Sequence, residues 1–156
     1  MISIHSFMDE KLVLLHSNVP NKKALLEQMI SQIALVRSLD EAAVEDLRRC
    51  LLEREAIGST SMGHGVAVPH AYFEGLQKTL IAFARLENPI DYQAPDGEPV
   101  KTVFLIAGPK RNNTEHLMIL ARLSHLLKDS MFLESLDTLD SENELLEAVG
   151  KAEKRH

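Results

Sequence analysis

The chain has one cysteine, no tryptophan and little aromatic content, 4% of its 156 residues. A lone Cys50 can neither close an internal disulfide nor build a thiolate metal site by itself. It lies in an apolar-periodic stretch with Leu47 and Leu51, which reads as a small buried hydrophobe. With few aromatics, the core must rest on Leu, Val, Ile and Ala. Long apolar runs are also missing. No stretch approaches the roughly 18 consecutive apolar residues that span a bilayer. Met1 to His16 lacks a basic segment followed by an apolar one, so no secretory leader is read and a cytoplasmic location is expected. A basic excess is absent too: 17 basic against 23 acidic residues give a formal charge of −6. That balance weighs against nucleic acid as a main partner, because phosphate backbones demand a basic face. Arg48, Arg49 and Arg54 are the candidates for a local basic patch.

What is present is an ordinary globular balance, 45% hydrophobic and 26% charged, in a length that suits one domain. Leu12–His16 reads as a short strand. After the Pro20-Asn21 turn, Lys22–Val36 carries Leu25, Leu26, Met29, Ile30 and Ile33 at helical spacing. Ser38 with Glu41 fits a capping box for a second helix, which ends near Glu55–Ile57. Gly58 and Ser59-Thr60-Ser61 break the pattern, and Gly63-His64-Gly65 continues the loop. Val66–Val68 is β-like, and Pro69 keeps Val68 out of the helical region. Thr79–Leu86 reads as a strand and Asn88–Pro99 as a loop with a Pro95-Asp96-Gly97 turn. Thr102–Ala107 is a continuous apolar run, the mark of a strand buried on both faces. Thr114 is the expected cap of a third helix reaching Lys128, with Leu117, Leu120, Ala121, Leu123, Ser124 and Leu127 inside. Ser141 and Glu144 form another capping box, for a helix ending near Val149-Gly150. Alternating helices and strands make the class α/β. The expected organisation is one domain over residues 1–150 and a charged tail over 151–156.

Seven histidines are present, and they differ in setting. His5, His16, His125 and His156 read as terminal, edge or surface residues. His70 follows a β-like segment and Pro69, in a loop rich in Gly and hydroxyl side chains, so its ring can be aimed. His116 falls at the start of the third helix, where unpaired N–H groups and the positive dipole end favour an anion. Arg54, at the end of the second helix, is placed to pair with phosphoryl oxygens. A neutral imidazole, with a pKa of about 6.5, is a good nucleophile near neutrality. Phosphoryl transfer needs mainly alignment and donors for the equatorial oxygens. Arg54, His116, the Ser59–Ser61 hydroxyls and loop N–H groups are candidates for that work. The spacing alone does not bring His70 and His116 together.

The run Leu52-Glu53-Arg54-Glu55-Ala56-Ile57-Gly58-Ser59-Thr60-Ser61-Met62-Gly63-His64-Gly65-Val66-Ala67-Val68-Pro69-His70 resembles enzyme IIA domains of the bacterial sugar phosphotransferase system. The class is fructose/mannitol, which includes the nitrogen-regulatory proteins. Asn88-Pro89-Ile90-Asp91, Asp96-Gly97, Val103–Pro109 and Glu115-His116-Leu117 extend the likeness over roughly Leu12 to Val149. The resemblance implies a mixed central β-sheet flanked by helices. It implies a phosphotransferase component in which His70 accepts a phosphoryl group on its tele nitrogen from the histidine phosphocarrier protein. His70 then passes it to a cysteine of an enzyme IIB partner, with His116 as second active-site histidine and Arg54 holding the phosphoryl group. Ser59, Thr60 and His64 are read as substrate-binding loop residues. No metal or cofactor is implied, and membrane association is expected only through IIB and a membrane IIC complex. The sequence departs from the family at Ala71, often Gly, and at Ser61, in a turn that commonly reads Ser-Thr-Gly.

Three functions follow from different classes. The main reading is a phosphoryl carrier in sugar uptake. The alternative is a regulatory module, in which phosphorylation of His70 controls binding to other proteins. The third is a metal-assisted hydrolase with His64, His70, His116 and Glu55 as ligands, for which no compact ligand motif exists.

Overall fold

The computed structural model describes residues 2–156. Its centre is a six-stranded mixed sheet. After a 3₁₀ turn at Ile4–Phe7, β1 spans Met8–Ser17, followed by helices α1 (Lys22–Arg37) and α2 (Glu41–Ile57). Three short strands come next: β2 (Ser61–Gly63), β3 (Val66–Ala67) and β4 (His70–Tyr72). The long strands β5 (Leu80–Ile90) and β6 (Val100–Gly108) form the middle of the sheet. Helices α3 (Asn113–Leu126), α4 (Ser130–Asp137) and α5 (Glu142–Arg155) complete the chain. Strand order is β1-β5-β6-β3-β2, and β4 also pairs with β6. β1 runs parallel to β5, β5 antiparallel to β6, and β3 and β4 parallel to β6.

Alternation along the strands feeds two cores, one on each side of the sheet. Val103, Leu105 and Ala107 of β6 pack under α1 and α2, whereas Phe104 and Ile106 pack under α3–α5. The same division splits Ala67 and Ala71 from Val66 and Val68. Among the described residues, no helix is long and apolar enough to cross a membrane.

Local chemistry explains where the elements differ from expectation. α2 opens on Asp40, whose carboxylate accepts from the Ala43 N–H at 2.8 Å, rather than on Ser38. Ser38 is instead occupied closing α1 in the left-handed region, at φ 54°. β5 runs on through Pro89 to Ile90, with Pro89 in an irregular stretch between Arg85 and Ile90 where the pairing with β6 lapses before it resumes at Ile90 and Val100. Thr114 caps nothing. A 3₁₀ turn at Lys110–Asn112 leads into α3 with no side-chain cap, so His116 is its fourth residue. The buried stripe of α3 is His116, Ile119, Leu123 and Leu126, while Leu117 is 57% exposed. α4 was not expected at all. Asp129 caps it by accepting from the Met131 and Phe132 N–H groups.

The Ser141 box is present: Ser141 Oγ accepts from the Glu144 N–H at 3.2 Å. α5 does not stop near Gly150. Ala152 is buried, and Glu153 accepts from the Ile4 and His5 N–H groups at 2.9 and 3.0 Å. Arg122 lies 3.6 Å from the same carboxylate. These contacts keep the expected tail helical as far as Arg155.

Candidate functional site

His70 begins β4, in register with Ile106 of β6. Pro69 fixes the entry, and its carbonyl accepts from the Ile106 N–H at 2.9 Å. The ring turns back on its own chain, with Nδ1 2.8 Å from the Val68 carbonyl oxygen. A carbonyl can only accept, so Nδ1 carries the proton. In the neutral ring Nε2 therefore holds the free lone pair.

The ring of His116 stands 5.9 Å from that of His70, edge to face at 62°. Tyr72 also packs on His116, with ring centroids 4.6 Å apart. His116 is 1% exposed, and neither ring nitrogen has a hydrogen-bond partner. Burial, then the neighbouring His70, pulls its pKa down to about 4. Burial also lowers the pKa of His70, and Arg54 adds to this, against an opposing pull from the Val68 carbonyl bond. Both imidazoles are therefore neutral near pH 7. That is the state a nucleophile needs.

Arg54 occupies the last turn of α2 and donates from Nη1 to the Gly58 carbonyl at 2.9 Å. With His70 and His116 it lines a cavity of about 420 Å³, whose other walls are Cys50, Glu53, Ile57, Ala71, Tyr72, Leu117 and Leu120. The cavity thus joins three residues that lie far apart in sequence. Its chemistry is a free imidazole nitrogen, a guanidinium and an unpartnered second imidazole around one space. Such a set can hold a tetrahedral anion and exchange it.

Ser59, Thr60 and His64 are not among the residues that line this cavity. Ser59 Oγ donates to the Tyr92 carbonyl at 2.8 Å, and Thr60 is buried against Glu55 and Tyr92. His64 sits at φ 55°, with its N–H on Asp96, beside a separate small cavity bordered by Lys101 and Leu133. The Ser59 and Thr60 hydroxyls thus tie the end of α2 to Tyr92 in the loop after β5. Glu55 faces Lys22, Thr60 and Tyr92. Among the described residues, no three His, Cys, Asp or Glu side chains converge as a metal-binding group.

Sequence reasoning missed Tyr72, although period two along a strand puts it on the same side as His70. It also placed Leu117 inside and Cys50 wholly in the core; Cys50 is half-buried in the cavity wall. No sequence signal connects Lys22 and Tyr92 to the loop after α2.

Comparison with known proteins bears on the family and the fold. Residues 6–152 match the family described as "Phosphoenolpyruvate-dependent sugar phosphotransferase system, EIIA 2". A nitrogen regulatory protein of Bradyrhizobium diazoefficiens is 39% identical over 118 residues, 76% of this chain and 75% of that protein. The fructose-specific EIIABC component of Bacillus subtilis is 28% identical over 153 residues, 98% of this chain but 24% of that larger protein. The crystal structure of the nitrogen regulatory protein IIA-Ntr from Neisseria meningitidis superimposes with a TM-score of 0.86 at 32% identity, covering 94% of this chain and 98% of that one. The mixed sheet, the histidine at the start of its fourth strand and a match over residues 6–152 agree: the chain belongs to the EIIA 2 family of the phosphoenolpyruvate-dependent sugar phosphotransferase system.

Proposed function

We propose that this protein is a regulatory phosphoryl acceptor of the nitrogen type, whose affinity for other proteins is set by the phosphorylation state of His70. The observation that carries the chemical half is the His70–Val68 bond, which leaves Nε2 as the free nitrogen of a ring lining the cavity. Nε2 attacks the phosphorus of a phosphohistidine on the histidine phosphocarrier protein. The new N–P bond forms as the donor's N–P bond breaks, and the donor imidazole keeps the electron pair. No proton has to leave His70. The positive charge that develops on its ring is met by the Val68 carbonyl at Nδ1–H. Arg54 exchanges the Gly58 carbonyl for phosphoryl oxygens, and His116 supplies a ring nitrogen toward them.

The regulatory half is supported by the likeness to nitrogen regulatory proteins over most of both chains. A phosphoryl group adds roughly −1.5 to −2 charges, on a surface whose rim is apolar. Ile57 is 83% exposed, Leu117 57% and Tyr72 37%. An apolar rim around a group that gains charge is suited to a partner that binds one state and not the other. The sugar-uptake reading, with onward transfer to a IIB cysteine, uses the same histidine and is supported by the fructose-specific relative.

The test mixes phosphoenolpyruvate, enzyme I, the carrier protein and this chain. Acid-labile phosphate is expected on the wild type and none on His70→Ala. Label persisting on His70→Ala overturns the assignment. His116→Ala is expected to accept label but release it more slowly to a second acceptor. Onward transfer to a IIB cysteine favours uptake; partner binding that changes with phosphorylation favours regulation.

A further inference from the structure

Behind His70 lies a buried polar network that no catalytic role yet uses. Glu55, next to Arg54 in sequence but not among the residues lining the cavity, is its hub. Lys22 Nζ lies 2.7 Å from Glu55 Oε2, with the two side chains 18% and 6% exposed. Tyr92 donates its hydroxyl to Glu55 Oε1 at 3.0 Å, and Lys22 Nζ sits 4.3 Å from the Tyr92 ring centroid. Thr60 donates to the same carboxylate twice, from Oγ1 and from its N–H. Burying a carboxylate is costly unless its lone pairs are filled. Four donor groups fill these, so the geometry of the hub is over-determined.

The network does not end at Thr60. The Thr60 carbonyl accepts from the Val68 N–H at 2.9 Å. Pro69 follows, with its own carbonyl engaged by Ile106. Val68 is therefore held on its N–H side by Thr60, and its carbonyl is left to meet His70 Nδ1. A continuous line of hydrogen bonds runs from Lys22 and Tyr92 through Glu55, Thr60 and Val68 to the ring of His70.

We propose that Glu55 and Thr60 are positioning residues for His70, holding Val68 so that Nδ1 keeps the proton and Nε2 is the nitrogen that reacts. The proposal rests on His70 being the phosphoryl acceptor. It gives Thr60 a role one step removed from the anion. Partners that set a histidine's tautomer control which nitrogen does chemistry.

The experiment uses the full chain labelled with ¹⁵N-histidine. Long-range ¹H–¹⁵N correlation reports the tautomer of His70, and a rapid-quench assay reports phosphoryl acceptance from the carrier. Wild type is expected to show Nδ1–H alone. Thr60→Val is expected to show both tautomers, with kcat for acceptance lower by about tenfold, the factor one hydrogen bond controls, and KM for the carrier unchanged. Thr60→Ser restores both readings. Glu55→Gln moves them in the same direction as Thr60→Val. A Thr60→Val protein that keeps a single Nδ1–H tautomer and wild-type kcat overturns the proposal, whatever happens to its melting temperature. If the wild type accepts no phosphoryl group, the assignment of His70 falls, and the tautomer measurement still decides the positioning role.

Discussion

His70 and His116 face each other at 5.9 Å, yet only His70 has a hydrogen-bond partner. A proton on either ring repels a proton on the other, and burial discourages both. The cavity is therefore built to keep two imidazoles uncharged.

Stability should record this. His116 titrates at about 4 in the folded protein, against 6.5 for an ordinary histidine. Between those values the unfolded chain takes up a proton that the folded chain refuses. The contribution is complete above about pH 7 and drains away as pH falls from 6.5 to 4, by about 3 kcal/mol. Urea denaturation from pH 4 to 7.5 checks it. His116→Phe, which cannot titrate, is expected to flatten that window.

The rate of phosphoryl acceptance should follow His70. Its depressed pKa keeps the nucleophile neutral to a lower pH than a free histidine. Acceptance is expected to reach its half-maximum at a pH below 6.5. A measured midpoint above 6.5 contradicts the burial argument.

Arg54 should matter to chemistry more than to folding. Arg54→Met removes a single solvent-exposed bond to the Gly58 carbonyl, which costs about 0.5–1.5 kcal/mol of stability. Loss of a charged donor to the transferring group is expected to slow acceptance by about 10²-fold. Chemical denaturation beside rapid-quench kinetics separates the two effects.

The apolar rim predicts a split of another kind. Ile57→Asp and Leu117→Asp change exposed side chains, so stability should move by no more than about 0.5 kcal/mol. KM for the carrier is expected to rise about tenfold or more if the rim is the docking face. Titration calorimetry with the unphosphorylated carrier reports the same loss.

Gly108 is a structural control near the site. It pairs with Tyr72 in the sheet, and a Cβ there would stand 2.4 Å from Thr79 Oγ1 and 2.8 Å from Thr79 Cα. One of those atoms is backbone, so rotation of a side chain cannot relieve the clash. Gly108→Ala is expected to destabilise by about 1–3 kcal/mol, read as a lowered denaturation midpoint.

The α/β class and the loop leading to His70 were legible in sequence because they depend on local pattern. Gly, Pro and hydroxyl residues punctuate Gly58–Pro69, and apolar spacing marks α1 and β6. The inner face of α3 was legible only in part: Leu123 and Leu127 are buried as expected, and Leu117 is exposed. Leu117, Met118, Ile119 and Leu120 are four apolar residues in succession, so no single stripe stands out, and a histidine occupies the buried phase. The Glu55 hub was hidden for another reason. Its bond to Tyr92 spans 37 positions, and only the fold creates it. The short α4 has two buried residues, Phe132 and Leu136, too few to declare a period.

The pairing of His70 with Ile106 and Ala71 with Ala107 carries a consequence for identity itself. Side chains alternate along a strand, so a slip of one residue exchanges its two faces. Slipped once, this segment would present Ala71 where the nucleophile stands and turn His70 toward the core under α1 and α2. Proline and histidine in the right order would still be there, and the site would be empty of chemistry. What singles out one histidine from seven is a count along a ladder, and an inserted or deleted residue between Gly65 and His70 would silence the protein without altering any residue that touches phosphate.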